Sequence, residues 1–250
     1  MESKNPFFNT KSYNNSEKVH DAVLIDYNQT MTLNGTMNKA FIMLLLLVAG
    51  ATATWTLIGS GSNPIVLIIG GAIVGLIAVL VATFKPHLSP YLAPGYALFE
   101  GLFIGGISAF FEAMYPGIVI QAVGATFVTF FICLVLYKYQ IVKVTERFRS
   151  VVVAATLAIA AYYLISWLLS LFLNFQPVHH GSSLMSIGIS VFVIVIAALN
   201  IFLDFDQIER GVANRAPKYM EWYGAMGLMI TLVWLYIEFL RLLSKLNSRD

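Results

Sequence analysis

The sequence predicts an all-α, polytopic membrane protein built as a bundle of seven transmembrane helices. Of the 250 residues, 58% are hydrophobic and only 11% carry a charge, whereas soluble domains carry about 25% charged residues. The mean hydropathy is +0.78. The apolar residues also gather into stretches of about 20 residues, the length that one helix needs to cross a bilayer. These observations together exclude a soluble fold.

Seven apolar stretches follow one another along the chain. The weakest division lies between the third and the fourth stretch, where only Tyr115, Pro116 and Gly117 intervene. Because the whole run is too long for one crossing and Pro-Gly is a turn signal, we predict two helices joined by a tight hairpin. The predicted helices cover residues 40–58, 65–84, 94–115, 118–137, 151–173, 184–204 and 223–243.

Residues 1–37 are predicted to form a flexible, polar, cytoplasmic N-terminal tail. They are rich in Asn, Ser and Lys and lack the early apolar core of a cleavable signal peptide. We therefore expect the first helix to act as an uncleaved signal anchor, with residues 38–250 forming the transmembrane domain.

The distribution of Lys and Arg predicts the orientation, because these residues concentrate on the cytoplasmic side of membrane proteins. With the N-terminus inside, all but three of the 15 Lys and Arg residues fall in cytoplasmic segments. The exceptions are Arg241, Lys245 and Arg249, close to the C-terminus. The sequence thus predicts a cytoplasmic N-terminus and an external C-terminus. A prokaryotic plasma membrane is the expected location.

Pairs of glycines four residues apart indicate where helices approach closely. Gly71 with Gly75 and Gly101 with Gly105 have this spacing, which lets helix backbones come together in lipid. Packing within one chain is the expected use of both pairs.

Acidic residues inside or at the ends of the apolar stretches are the main functional signal. A carboxylate at membrane depth costs roughly 2.5–3.5 kcal/mol on insertion scales. Glu100 lies six residues in from Pro94, about 9 Å along the helix, and Asp204 ends the predicted sixth helix. They form a predicted inner acidic layer, with Asp206, Glu209 and Glu221 beneath it. Glu112 and Glu238 form a predicted outer layer.

Two acidic layers separated by an apolar zone suit a gated cation path. Carboxylate oxygens are hard ligands that bind calcium, so Asp204 and Glu100 are candidates for transient calcium binding. Because neighbouring carboxylates share protons, such a site is expected to respond to pH near neutrality. The predicted gate residues among the acids are Asp204, Glu100 and Asp206.

Each acid also has a structural interpretation. Glu238 and Arg241 lie one turn apart, as do Asp206 and Arg210, so both acids are placed to form ion pairs along their own helices. Glu209 and Glu112 would then reach water at the two membrane surfaces. Glu100 is the acid that resists this interpretation most, because no basic residue lies within one turn of it.

Other chemistry is thinly represented, and no enzymatic activity or resident cofactor is expected. Ser and Thr residues do not sit in a nucleophile motif, and HExxH and Gly-rich phosphate loops are absent from the sequence. His179 and His180 are adjacent in a loop and lack metal-ligand spacing. Cys133 is a single cysteine in an apolar run. The basic residues are scattered, which argues against nucleic-acid binding.

The C-terminal stretch resembles the last two helices of the Bax inhibitor/YccA family. The telling element is Asp204-Phe205-Asp206-Gln207-Ile208, followed by the ending LYIEFLRLLSKL. GYALFEGLFIGGIS and GATFVTF resemble that family's third helix and the start of its fourth. The resemblance runs from about Met37 to the end, and it is closest to the prokaryotic branch with a longer N-terminal tail.

This resemblance implies a seven-helix bundle with the last helix near the centre, and a calcium leak gated by pH. It also implies a latch in which two aspartates share a proton at the cytoplasmic side. Asp204 matches the first aspartate, but Thr231 stands where the second is expected, and the family's early-helix arginine has no clear match, Lys85 being nearest. We hypothesise that Glu100 supplies the missing carboxyl group and that Thr231 donates a hydrogen bond.

Two functions from different classes follow. The first is a pH-sensitive cation leak that carries calcium or protons across the lipid bilayer. The second is a regulatory protein that binds other membrane proteins, such as a membrane-bound AAA protease, through its N-terminal tail. An intramembrane hydrolase is a weak third possibility, because the sequence offers no nucleophile and base pair.

Overall fold

Residues 30–61, 63–173, 181 and 183–248 are described by a computed structural model. Within these residues seven α-helices are long and apolar enough to cross a membrane, which confirms the predicted fold class. The helices are α1 (Leu33–Gly59), α2 (Ile65–Phe84), α3 (Ser89–Met114), α4 (Ile118–Lys138), α5 (Glu146–Leu173), α6 (Leu184–Ala213) and α7 (Met220–Asn247). Helices are expected here, because backbone N–H and C=O groups in lipid must bond within their own segment.

Several helices extend beyond the apolar stretches. Helix α1 begins at Leu33, so residues 33–37, which were predicted to belong to the tail, are helical. The Thr32 side chain caps this helix by accepting a hydrogen bond from the Gly35 N–H at 3.0 Å. Residues 1–29, the rest of the predicted tail, lie outside the described residues, as do His179 and His180.

The sixth helix corrects the prediction most. It was predicted to end at Asp204, yet α6 continues to Ala213. The added residues include charged side chains, and hydropathy therefore assigns this segment to a loop. In the structure, ion pairs with neighbouring helices stabilise it as a helix. Asp204 therefore lies about 14 Å from the end of its helix, inside the bundle rather than at its edge.

Close helix crossings occur at the glycines. A Cβ added to Gly101 would overlap the Leu47 carbonyl oxygen of α1, and one added to Gly105 would overlap the Ala51 carbonyl oxygen. A Cβ added to Gly71 of α2 would lie 2.5 Å from the Phe99 carbonyl oxygen of α3. The backbones of α1, α2 and α3 thus touch at positions where no side chain fits.

Helix α7 occupies the centre of the bundle. It contacts α1, α3, α4 and α6. Half of its most apolar stretch is buried, the largest share among the described helices. The last helix therefore lies where the family resemblance implies.

Long-range contacts show which helix ends share a face. The Met31 N–H donates to the Ala216 carbonyl group at 2.7 Å, which joins the start of α1 to the turn before α7. Arg149 at the start of α5 pairs with Asp206 near the end of α6 at 2.5 Å. We call this end of the bundle, which carries Lys39, Arg149 and Arg210, the basic face. Its assignment to the cytoplasm stays a prediction.

Candidate functional site

Asp204 lines a cavity of about 130 Å³ near the basic face. The cavity lies between α2, α6 and α7. Its α2 wall is formed by Val79, Ala82 and Thr83, and its remaining lining residues are Gln207, Ile208, Tyr223, Gly224, Met226, Gly227 and Ile230. A polar side chain on an otherwise mainly apolar wall is the usual arrangement of a small-ligand or ion site.

The Asp204 carboxyl group is only partly satisfied. Its Oδ2 atom is buried and has no hydrogen-bond partner among the described residues. Thr231 of α7 lies within hydrogen-bonding range of the carboxyl group, and its hydroxyl is also 3.3 Å from the Gly227 carbonyl oxygen. A Cβ added to Gly227 would lie 3.8 Å from Asp204 Oδ1. The structure thus brings Asp204 and Thr231 together.

Glu100 of α3 lies in a different setting from Asp204. A Cβ added to Gly75 of α2 would lie 2.8 Å from Glu100 Oε2, and Tyr96 lies within electrostatic range of the same carboxyl group. Glu100 does not line the Asp204 cavity, and no hydrogen bond between the two acids occurs in the described chain. Glu100 thus approaches α2 at Gly75, whereas the α2 wall of the Asp204 cavity begins one turn away, at Val79.

The acids beneath Asp204 are held by neighbouring helices. Asp206 pairs with Arg149, and also with Arg210 at 2.8 Å, the latter contact being the one that the spacing along α6 predicts. Glu209 is exposed and accepts a hydrogen bond from the Tyr137 hydroxyl of α4. Asp206 and Glu209 therefore fasten α6 to α4 and α5 at the basic face.

Glu221 is fully buried, with a side chain 0% exposed. It lies in the first turn of α7, and not before the helix as predicted. The Thr32 N–H and hydroxyl groups each donate to Glu221 Oε1 at 2.9 Å, and Lys39 donates to Oε2. This cluster joins the start of α1 to the start of α7.

The two acids of the predicted outer layer have separate partners. Glu112 accepts hydrogen bonds from the Gly117 N–H at 2.6 Å and the Val119 N–H at 3.1 Å, so it caps α4 across the Pro-Gly turn. Glu238 is 1% exposed and pairs with Arg241 at 3.0 Å, with the Tyr163 hydroxyl 3.3 Å away. Glu112 is thus held by backbone N–H groups, whereas Glu238 is held by a cationic side chain.

Within the described parts of the chain, no three His, Cys, Asp or Glu side chains come together as a metal site. Asp204 supplies one carboxyl group, and Thr231 and Gln207 add neutral oxygen atoms nearby. Calcium takes six to eight oxygen ligands, so an ion here would keep much of its water. The arrangement suits brief binding rather than a resident metal.

Several hydrogen-bond and ion-pair partners of the acids could not be predicted from the sequence. Lys39 and Thr32 are far from Glu221 along the chain, and the same holds for Tyr137 with Glu209 and Tyr163 with Glu238. One signal was available for Glu112: an acid five residues before Gly117 can reach the free N–H groups that begin the next helix.

Comparison with known proteins agrees with the resemblance seen in the last helices. Residues 5–248 match the model of a family described as Bax inhibitor 1 like. No curated protein matches the chain.

Proposed function

This chain belongs to the Bax inhibitor 1 like family of proteins, and we propose that it is a pH-sensitive cation leak, carrying calcium, that is gated by the Asp204 carboxyl group. The chain is an integral membrane protein with seven membrane-crossing helices. The single observation that carries the proposal is the buried Asp204 oxygen without a hydrogen-bond partner beside a cavity.

The contrast with the other acids supports this role. Asp206, Glu221 and Glu238 each pair with a Lys or Arg side chain, and Glu112 binds backbone N–H groups. Asp204 has none of these partners within the described chain. An ionised carboxyl group at this depth needs a counter-charge, which a proton or a cation entering the cavity would supply.

Competition between a proton and a cation gives the pH dependence. A protonated Asp204 is neutral and offers a cation little attraction, whereas an ionised Asp204 attracts one. The Thr231 hydroxyl has one proton, which it can donate either to this carboxyl group or to the Gly227 carbonyl oxygen. In this proposal Glu100 is a second carboxyl group, on α3 next to Gly75 of α2, and it replaces the family's second aspartate at a distance rather than by direct contact.

The test is calcium flux into proteoliposomes, measured with an entrapped dye at acidic and at neutral pH. Asp204→Asn keeps the shape of the side chain but removes its charge and its proton exchange. We expect wild-type flux to depend on pH and the variant to lose that dependence. Glu209→Gln is the matched control, because it neutralises an exposed acid five residues along the same helix.

Two results would overturn the proposal. One is a wild-type protein that is folded by circular dichroism yet passes no calcium at any pH. The other is a variant Asp204→Asn whose flux and pH profile equal those of the wild type and of Glu209→Gln.

A second function, binding of other membrane proteins such as a membrane-bound protease, is favoured by the anchoring of residues 30–32. Thr30 bridges to Pro217, and Met31 is buried against Gly211 and Gly224. Gly224 also lines the Asp204 cavity, so a partner pulling on the preceding tail would act next to that cavity. Deleting residues 1–29 should abolish partner binding and leave calcium flux intact; loss of flux together with binding would argue against separate roles.

A further inference from the structure

A second, larger cavity of about 570 Å³ opens at the end of the bundle opposite to the basic face. It lies between the ends of α3 and α7 and the later half of α5. Arg241, Lys245 and Ser244 of α7 form one wall, and Ser170 and Trp167 of α5 form another. No part of the proposed calcium gate contributes to it.

Among the described lining residues the charged side chains are both positive, Arg241 and Lys245. Glu238 beneath the cavity neutralises one unit by pairing with Arg241. Lys245 instead donates to two neutral acceptors, the Ser190 hydroxyl at 2.7 Å and the Ser186 carbonyl group at 3.2 Å. Since an ammonium group has three donors, Lys245 keeps one donor for a ligand, and the Glu238 carboxylate offsets only part of its charge through space.

Arg241 also retains binding capacity. It donates hydrogen bonds to Glu238 and to the Tyr163 hydroxyl, and its guanidinium carbon lies 5.3 Å from the Tyr163 ring centroid. A guanidinium group has five donors in a planar fork that suits phosphate and carboxylate oxygens. Its side chain is 43% exposed, so the unused donors are accessible from the cavity.

The remaining lining residues point to an amphiphilic ligand. Phe111, Met114 and Trp167 supply apolar surface next to the cationic wall, while Ser170 and Ser244 supply hydroxyl groups. Hydroxyl groups and cationic side chains bind an oxyanion, and the apolar surface accommodates a glycerol backbone or the first methylenes of an acyl chain. A soluble anion would contact only the hydroxyl groups and the cationic side chains, and not the apolar surface.

We propose that this cavity binds a phosphate-bearing anion, supplied by the headgroup of an anionic phospholipid. Arg241 and Lys245, one turn apart on α7, hold the phosphate oxygens, and the serine hydroxyls of α5 and α7 complete their coordination. The site also accounts for two of the three basic residues that depart from the positive-inside distribution.

The experiment measures the binding of short-chain phosphatidylglycerol to the full-length protein in neutral detergent, from the rise in the melting temperature with lipid concentration. Phosphatidylcholine and inorganic phosphate are compared in parallel. We expect phosphatidylglycerol to stabilise the protein more than phosphatidylcholine does. Equal stabilisation by inorganic phosphate would support the anion site and assign it to a soluble ligand.

Variants locate the effect in the cavity. Lys245→Gln should weaken binding roughly fivefold, as expected when one Lys next to an anionic headgroup is lost, and Lys245→Arg should preserve it. Lys143→Gln, which removes an exposed charge at the basic face, is the matched control. Ser170→Glu adds a negative charge inside the cavity without altering Lys245 and should weaken binding more than Ser170→Gln does, because Ser170→Gln removes only one hydroxyl group.

Phosphatidylglycerol with brominated chains gives an independent readout, because bromine atoms bound in the cavity should quench the fluorescence of Trp167. This part of the quenching should be lost in the Trp167→Phe variant. The proposal is overturned if phosphatidylglycerol and phosphatidylcholine stabilise the protein equally, or if Lys143→Gln weakens binding as much as Lys245→Gln does. It is also overturned if Ser170→Glu binds as the wild type does.

Discussion

The buried ion pair between Lys39 and Glu221 should be a principal tie between the first and the last helix. Lys39→Met keeps the length and the apolar stem of the side chain but removes the ammonium group. Glu221 would then retain only the two hydrogen bonds from Thr32, each 2.9 Å long. Its carboxylate, 0% exposed, would lack a counter-charge.

Removing one partner of a buried ion pair typically costs 3–5 kcal/mol. The lower end applies here, because Lys39 is 16% exposed and Glu221 lies in the first turn of α7, at the end of the bundle. We therefore expect Lys39→Met to lower the free energy of unfolding by about 3 kcal/mol. That is a large fraction of the 5–15 kcal/mol typical of folded proteins.

The assay is denaturant unfolding of the detergent-solubilised protein, followed by tryptophan fluorescence. Trp222 is a local reporter, since the Lys39 ammonium group lies 5.6 Å from its ring centroid. Lys143→Met, at an exposed position of the same face, serves as the control and should leave stability unchanged.

A double variant distinguishes two causes of the destabilisation: the lost attraction between Lys39 and Glu221, and the buried Glu221 charge that is left without a counter-charge. In Lys39→Met with Glu221→Gln the buried side chain is neutral, so the protein should recover much of the stability lost in the single variant. The reasoning is refuted if Lys39→Met loses less than about 1 kcal/mol, the value of an exposed pair, or if the double variant is no more stable than Lys39→Met.

Two further predictions concern helix packing and capping, and both are read from melting temperatures. Gly101→Ala should destabilise the protein by about 1–3 kcal/mol, because its Cβ would overlap the Leu47 carbonyl oxygen. Gly124→Ala meets no atom within 4 Å and should stabilise its helix by about 0.5–1 kcal/mol; equal effects of the two would contradict the close crossing. Glu112→Ala should cost about 1 kcal/mol through loss of the cap at Gly117, and Glu112→Gln, which keeps an acceptor, should cost less.

Elements that depend on local sequence were predictable. The ion pair between Asp206 and Arg210 follows from their spacing on one helix, and so does the one between Glu238 and Arg241. The hairpin at Pro116 and Gly117 also forms, with Gly117 in the left-handed region at a φ of 86°, where glycine is favoured.

Helix ends were predicted less well, because hydropathy measures where lipid begins and not where the helix stops. Asp204 shows the consequence. The sequence places it at a helix end, whereas α6 extends to Ala213 and encloses it. The charged last turns of α6 stay helical because Asp206 and Arg210 find partners on α5.

The amino-acid sequence alone establishes that this protein crosses the membrane as seven helices, because a chain this apolar must satisfy its backbone groups within each span. It also singled out the acids that are costly in lipid. Which of these acids find partners depends on the tertiary structure. Glu221 pairs with Lys39 and accepts hydrogen bonds from Thr32, 189 positions away in sequence, while Asp204 faces a cavity. Spacing along one helix fixes its local contacts, but the partner of a buried charge depends on how separate helices pack.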